Sequence, residues 1–207
     1  MSGLHEQRSD EELMMAYTRG NTAAFDALYT RHESAMLRFI QRILGRTLAS
    51  HAEEVFQDVW IRIIKNRSGF LPHSQGGASW KTWAFTIAHH AAIDCFRAQN
   101  RFIPIEVTEN TDDPMEWIQA SLGMTHHSSE DEAFWRAAGN QLLVCIESLP
   151  APQRAAFLLH HEEDTSVEEM ARNLQLPFET VKSRLRYAMQ KLRQCMQHYL
   201  QELEASS

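Results

Sequence analysis

Valine, glycine and proline are scarce in this chain. Six valines stand against 23 alanines, 19 leucines and nine methionines, and the eight glycines and six prolines are few for so long a sequence. Strand-rich folds draw on β-branched side chains and frequent turn residues. Their shortage excludes a sheet architecture, and the strong helix formers that remain predict an all-α chain. Cysteine is sparse too. Cys95, Cys145 and Cys195 are odd in number, widely spaced and form no CxxC pair. That excludes a disulfide framework or a cysteine-based zinc module as the organising principle, and favours a reducing compartment. The opening MSGLHEQRSD has no apolar signal core, and no apolar run approaches the roughly 18 residues of a bilayer span. The expectation is a soluble, cytoplasmic protein with no membrane insertion.

Positive charge is also in deficit. Twenty Lys and Arg face 27 Asp and Glu across 207 residues, for a net charge of −7. A chain of that length buries an ordinary core in one or two domains, but this balance excludes a surface that coats nucleic acid or an anionic membrane all over. The deficit is local. Residues 104–132 hold eight acids and no Lys or Arg, so the other 20 basic and 19 acidic residues sum to +1.

Three zones follow from the patterning. From Asp10 to Arg101, apolar residues recur at spacings of three and four (Leu13, Met14, Tyr17; then Phe25, Leu28, Tyr29, His32, Met36, Phe39, Ile40, Ile43), the mark of amphipathic helices. Gly20-Asn21-Thr22 separates the first two stretches and offers a cap. A third helix fits Ala52–Lys65 and a fourth Trp80–Arg97, joined by a glycine-containing loop over 68–77. Residues 102–132 lose the periodicity and read as an acidic, flexible linker. Residues 133–203 are helical again. The architecture expected is two small helical domains, 10–101 and 133–203, joined by that linker.

Ser166-Val167-Glu168-Glu169 forms a capping box, Gln175-Leu176-Pro177 breaks the helix, and a longer helix begins near Phe178 with Val181, Leu185, Ala188, Met189 and Leu192 as its inward stripe. Two helices joined by a short turn, the second one basic, make a helix-turn-helix. Arg172, Lys182, Arg184, Arg186, Lys191 and Arg193 face one acid, Glu179, a balance suited to a phosphate-lined groove. Thr180, Lys182, Ser183, Arg184 and Arg186 crowd the first two turns, the end that enters a major groove.

Ser148-Leu149-Pro150 with Gln153-Arg154, then Ser166 to Ala171, then Glu179 to Leu185 resemble the promoter-binding region 4 of bacterial sigma factors of the extracytoplasmic-function (ECF) group. Ala52 to Trp60 resembles that group's polymerase-gripping motif in region 2, and Trp83 to Ala88 with Ala92 to Arg97 resembles its promoter-opening helix. The resemblance implies that Glu53, Glu54, Gln57 and Asp58 dock on the clamp helices of the largest catalytic subunit of core RNA polymerase. It implies that the helix from Trp80 reads the non-template strand of the −10 element, with Trp80, Lys81, His89, His90 and Arg97 as contacts, since a single strand wants aromatic platforms and cations. Thr180, Lys182, Ser183, Arg184 and Arg186 would then meet the −35 duplex. His89-His90 stand where the family usually has Arg-Asn, Gln175 where glycine is common, and Tyr187 where arginine is frequent. Family members are often held inactive by an anti-sigma partner.

Neither His126-His127 nor His160-His161 beside Glu162-Glu163-Asp164 belongs to an HExxH helix, and there is no phosphate-cradling glycine loop or GxSxG elbow. No metal, cofactor or enzymatic activity is expected. The alternative reading is a stand-alone helix-turn-helix regulator that binds duplex DNA as a dimer; an acidic patch beside an aromatic helix argues against it.

Overall fold

The computed structural model describes residues 8–99 and 129–205, which are helical and contain no strand. The stretch 102–128, read from sequence as linker, lies outside them. Four helices come first: α1 (Asp10–Thr18), α2 (Thr22–Leu44), α3 (Ala52–Lys65) and α4 (Trp80–Gln99). Four more follow: α5 (Ser129–Ser148), α6 (Ala151–His161), α7 (Val167–Asn173) and α8 (Phe178–Ala205). Helix α5 begins inside the stretch assigned by composition to the linker, four residues before the expected start at 133.

The helix ends have identifiable causes. Ser9 and Glu12 form a capping box on α1, and the Asn21 side chain accepts from the Ala24 N–H at 3.3 Å to start α2. Gly45 ends α2 at φ +65°, a conformation that suits a residue without Cβ. The N-terminus of α4 receives two acceptors: Ser79 Oγ takes the Thr82 N–H at 3.0 Å, and Glu11 of α1 takes the Trp80 N–H at 2.9 Å. A carboxylate there satisfies an orphan donor and complements the helix dipole.

Helices α1 to α4 close around Leu13, Met14, Leu28, Met36, Phe39, Ile40, Ile43, Ile63, Trp80 and Phe85, all fully buried. Phe39 meets Phe85 edge-on at 5.2 Å, and the Trp60 ring lies 6.4 Å from that of Trp80. In the second group α8 is the spine, packed by α5, α6 and α7. Its expected inward stripe, Val181, Leu185, Ala188, Met189 and Leu192, is buried throughout. The buried side chains of both groups form one continuous apolar cluster.

The structure corrects the cysteine expectation. Cys145 of α5 and Cys195 of α8 are disulfide-bonded across 50 residues of sequence, and Cys95 alone is free. Residue spacing hides such a pair because the packing of α5 on α8 sets it. The argument for a reducing compartment from unpaired cysteines therefore loses its basis.

Two expected outcomes follow from this architecture. Breaking the bond by reduction or by Cys195→Ser releases a 50-residue loop and should cost about 4 kcal/mol by loop-closure entropy, read as a lowered urea midpoint. Gln175 occupies the turn between α7 and α8 at φ +54°, where an L side chain costs roughly 1–2 kcal/mol. Gln175→Gly should raise stability by about 0.5–1 kcal/mol, the greater freedom of glycine in the unfolded chain offsetting part of the gain; chemical denaturation measures it.

Candidate nucleic-acid and polymerase interfaces

Helix α3 buries Val55, Val59, Trp60 and Ile63 and turns Glu53, Glu54 and Gln57 to solvent. Asp58, half-buried, is ion-paired to Arg62 one turn on at 2.7 Å, and Arg62 in turn lies 3.9 Å from Asp94 of α4. The sequence-predicted acids thus share one face, with Asp58 partly neutralised. Ile61 stands exposed on that face, one turn beyond Gln57 and two beyond Glu54. Sequence reasoning passed over it because Ile63 and Ile64 took the inward stripe. Its helical register with the acids was the available signal. An exposed aliphatic side chain at the end of a face that carries Glu53, Glu54 and Asp58 suits docking on a basic partner with an apolar centre.

Helix α4 divides its five candidates sharply. Trp80 is wholly buried, its ring 4.5 Å from His32, whose Nε2 pairs with Asp10 Oδ2 at 2.8 Å. An indole held there fills core, so its expected role as a stacking platform is corrected to a structural one. Lys81 is half-exposed, and its Nζ lies 3.0 Å from Glu163 Oε2 in the second helical group. His90 and Arg97 are exposed. His89 is 4% exposed, and neither ring nitrogen has a partner. Burial brings the His89 imidazole down from 6.5 to about 3, and the charges of His90, Arg184 and Arg97 act the same way. Burial also lowers His90, against the pull of Asp94 and with the help of Arg62 and Arg97.

The helix-turn-helix forms as the residues dictate. Ser166 accepts from the Glu169 N–H at 3.2 Å while Glu169 accepts from the Ser166 N–H at 3.0 Å. At the start of α8, Lys182 is exposed, and Thr180, Ser183, Arg184 and Arg186 are half-buried. Ser183 donates its hydroxyl to the Thr180 carbonyl at 2.9 Å. Arg186 lies over the Tyr187 ring at 5.0 Å and donates to its hydroxyl at 3.2 Å, so Tyr187, itself buried, directs the guanidinium one place earlier. Arg184 has its guanidinium lowered by burial and then by the Arg97 charge. The two proposed DNA-reading helices therefore approach each other with like charges.

Sequence reasoning met Glu163 only beside His160-His161 and gave it no role. It follows α6 in the turn before α7, with its carboxyl side chain 5% exposed. Burial pushes that carboxyl above its ordinary range, the Lys81 ammonium opposes the rise, and Glu162 adds to it. No spacing rule in the sequence pairs residue 163 with residue 81. Among the described residues there is no His/Cys/Asp/Glu group able to hold a metal, and no helix is long and apolar enough to cross a membrane.

The family description "Sigma-70 region 2" matches residues 28–102, and "Sigma-70, region 4" matches 139–192. The chain is 27% identical over 197 residues to the RNA polymerase sigma-H factor of Pseudomonas aeruginosa, covering 95% of this chain and 98% of that protein. It is 27% identical over 199 residues to the ECF RNA polymerase sigma factor SigK of Mycobacterium tuberculosis, with the same coverage. Among solved structures, CnrH in complex with the cytosolic domain of CnrY is similar at a TM-score of 0.56 and 19% identity, over 97% of this chain and 100% of that one. The sigma factor RpoE in complex with the anti-sigma factor NepR from Bartonella quintana follows at 0.55 and 18%, over 84% and 96%.

The buried histidine generates a pH prediction. Between about pH 6.5 and 3, unfolded His89 takes a proton that the folded residue refuses, so stability is present above the ordinary histidine range and is lost as pH falls through it. Going from pH 7.5 to 5.5 should cost on the order of 1 kcal/mol from this group. Thermal unfolding across that range measures the slope, and His89→Leu should flatten it.

Proposed function

This chain belongs to the sigma-70 family of RNA polymerase sigma factors, in the ECF group, and we propose that it docks on core polymerase and directs it to promoters with paired −35 and −10 elements. The observation that carries this reading is the separation of two opposite surfaces onto different helical groups. An acidic stripe runs along α3, and a basic helix-turn-helix end occupies α8. A stand-alone duplex-binding regulator has use for the second surface and none for the first. The protein supplies no bond-making chemistry; it positions the polymerase, in the cytoplasm where that enzyme works.

In this reading residues 10–101 act as region 2, 133–203 as region 4 and 102–132 as the connection. Glu53, Glu54, Gln57 and Asp58 meet the clamp helices of the largest subunit, with Ile61 as their apolar neighbour. Lys81, His89, His90 and Arg97 serve the −10 strand, and Thr180, Lys182, Ser183, Arg184 and Arg186 serve the −35 duplex. Opposite charge at the polymerase contact raises the association rate and fixes the partner, while phosphate contacts on α8 carry affinity and its salt dependence. An anti-sigma partner is part of the proposal, because a solved relative of the same fold is described in complex with one.

Run-off transcription with core polymerase on a genomic promoter library is the deciding experiment. Transcripts that share a −35/−10 pair support the reading; binding to symmetric duplex half-sites without polymerase would favour the regulator instead. Joint reversal of Glu53, Glu54 and Asp58 to lysine should abolish co-purification with core polymerase while helicity stays intact. Replacing Lys182 and Arg184 by alanine should lower the salt slope of −35 binding by about two.

A further inference from the structure

Glu179 is the one acid among the six cations gathered from Arg172 to Arg193, and it stands in the first turn of α8. It is exposed, whereas Val181, two residues on and about 200° round the helix, is fully buried. Glu179 therefore faces away from the core. Ser183 and Arg186 follow it at spacings of four and three, which puts the three side chains on one helix face. Both of those residues are assigned above to the −35 duplex.

A carboxylate set among cations ordinarily takes an ion pair. Glu179 takes none among the described residues, because the nearest cations along the helix are engaged elsewhere. Lys182 Nζ lies over the Phe178 ring at 6.0 Å. Arg186 lies over the Tyr187 ring at 5.0 Å and donates to its hydroxyl, and Arg184 is half-buried within range of the Arg97 charge. The Glu179 carboxylate is left in water on a face that meets phosphates. An acid in the first turn complements the helix dipole. Against a polyanion, however, it is repelled unless the groove supplies it with hydrogen-bond donors.

Donors are scarce in a major groove. Guanine presents N7 and O6, both acceptors, and thymine presents O4 and a methyl group. Adenine sets its N6 amine beside the N7 acceptor, which repels a carboxylate. Cytosine presents the N4 amine with no acceptor on the same base. We propose that Glu179 is a specificity-determining residue of the −35 contact, its carboxylate accepting a hydrogen bond from the N4 amine of one cytosine. The inference rests on the reading of α8 as a duplex-binding helix within the sigma-factor assignment. It deepens that reading by naming a base. Repulsion by phosphate makes the contact selective: at any other base the carboxylate is desolvated without a partner, and the penalty for a wrong base exceeds the gain from the right one.

The test is selection of bound duplexes from a randomised pool by the full chain, with and without core polymerase, followed by affinity measurements on the selected duplex. The wild-type pool should hold cytosine at one position that Glu179→Ala leaves undetermined, with every other position unchanged. Glu179→Gln should turn that position to adenine, because a glutamine amide pairs with N6 and N7 together. Changing the C·G pair there to T·A should lower wild-type affinity about tenfold, while Glu179→Ala should bind the two duplexes alike. The salt slope should keep its wild-type value in both Glu179 variants, whereas Lys182→Ala lowers it by about one. If Glu179 serves the helix dipole alone, base preference stays the same in all three proteins, and that result would overturn the inference while the sigma reading stands. Enrichment by the chain alone and none with polymerase would sink the sigma reading and leave the base preference of Glu179 legible in the same pool.

Discussion

The first turn of α4 has to satisfy four neighbours at once, and the rest of the structure is arranged around that requirement. Its leading N–H is capped by Glu11 from α1. The Trp80 indole is wedged between His32 of α2 and Trp60 of α3, and the His32 ring is fixed in turn by Asp10. One residue later, Lys81 reaches out to the turn between α6 and α7. A large aromatic at this point ties three helices into one core, while the adjacent cation faces the other helical group. Because the N-terminal turn is fixed by a cap and by burial together, the direction of α4 and the placement of every later candidate on it are fixed as well.

That arrangement accounts for the uneven fate of the α4 candidates. Aromatic residues have the largest apolar area to bury, so a helix rich in them, packed on two neighbours, commits most of its rings to the core. Phe85 and Trp80 are fully buried, and Trp83 and Phe96 are half-buried. The polar positions divide by rotation around the helix axis. His90 and Arg97 are exposed, whereas His89, one residue or about 100° away, is buried and feels the charge of Arg184 on α8. A single strand approaching α4 would meet His90 and Arg97 directly, while His89 is covered.

Charge is used in two ways in this chain. On α3 the acids are left in water, paired at most along their own helix, as suits a surface that waits for a basic partner. Between the groups, acids and cations are partly withdrawn from water and answer each other across the contact. The second use has a desolvation cost that falls mainly on Glu163, whose side chain is 5% exposed. Gln175 at φ +54° and the unpartnered ring nitrogens of His89 are local penalties at surfaces assigned to nucleic acid, and Asp164 at φ +49° and the buried indole N–H groups of Trp60 and Trp80 are others away from them.

How far the sequence reached can be stated residue by residue. Its scarcity of β-branched and turn residues determined the all-α class, and local periodicity placed α3 at Ala52–Lys65. The Ser166 and Glu169 capping box, the inward stripe of α8 and the charge contrast between α3 and α8 were likewise legible, because each depends on residues within a few turns of one another. Tertiary structure alone decided the Cys145–Cys195 bond, the burial of His89 and Trp80, the approach of Arg184 to Arg97 and the capture of Lys81 by Glu163. Those features join segments up to 95 residues apart, and helical spacing carries information about one face of one helix, not about which other helix will cover it.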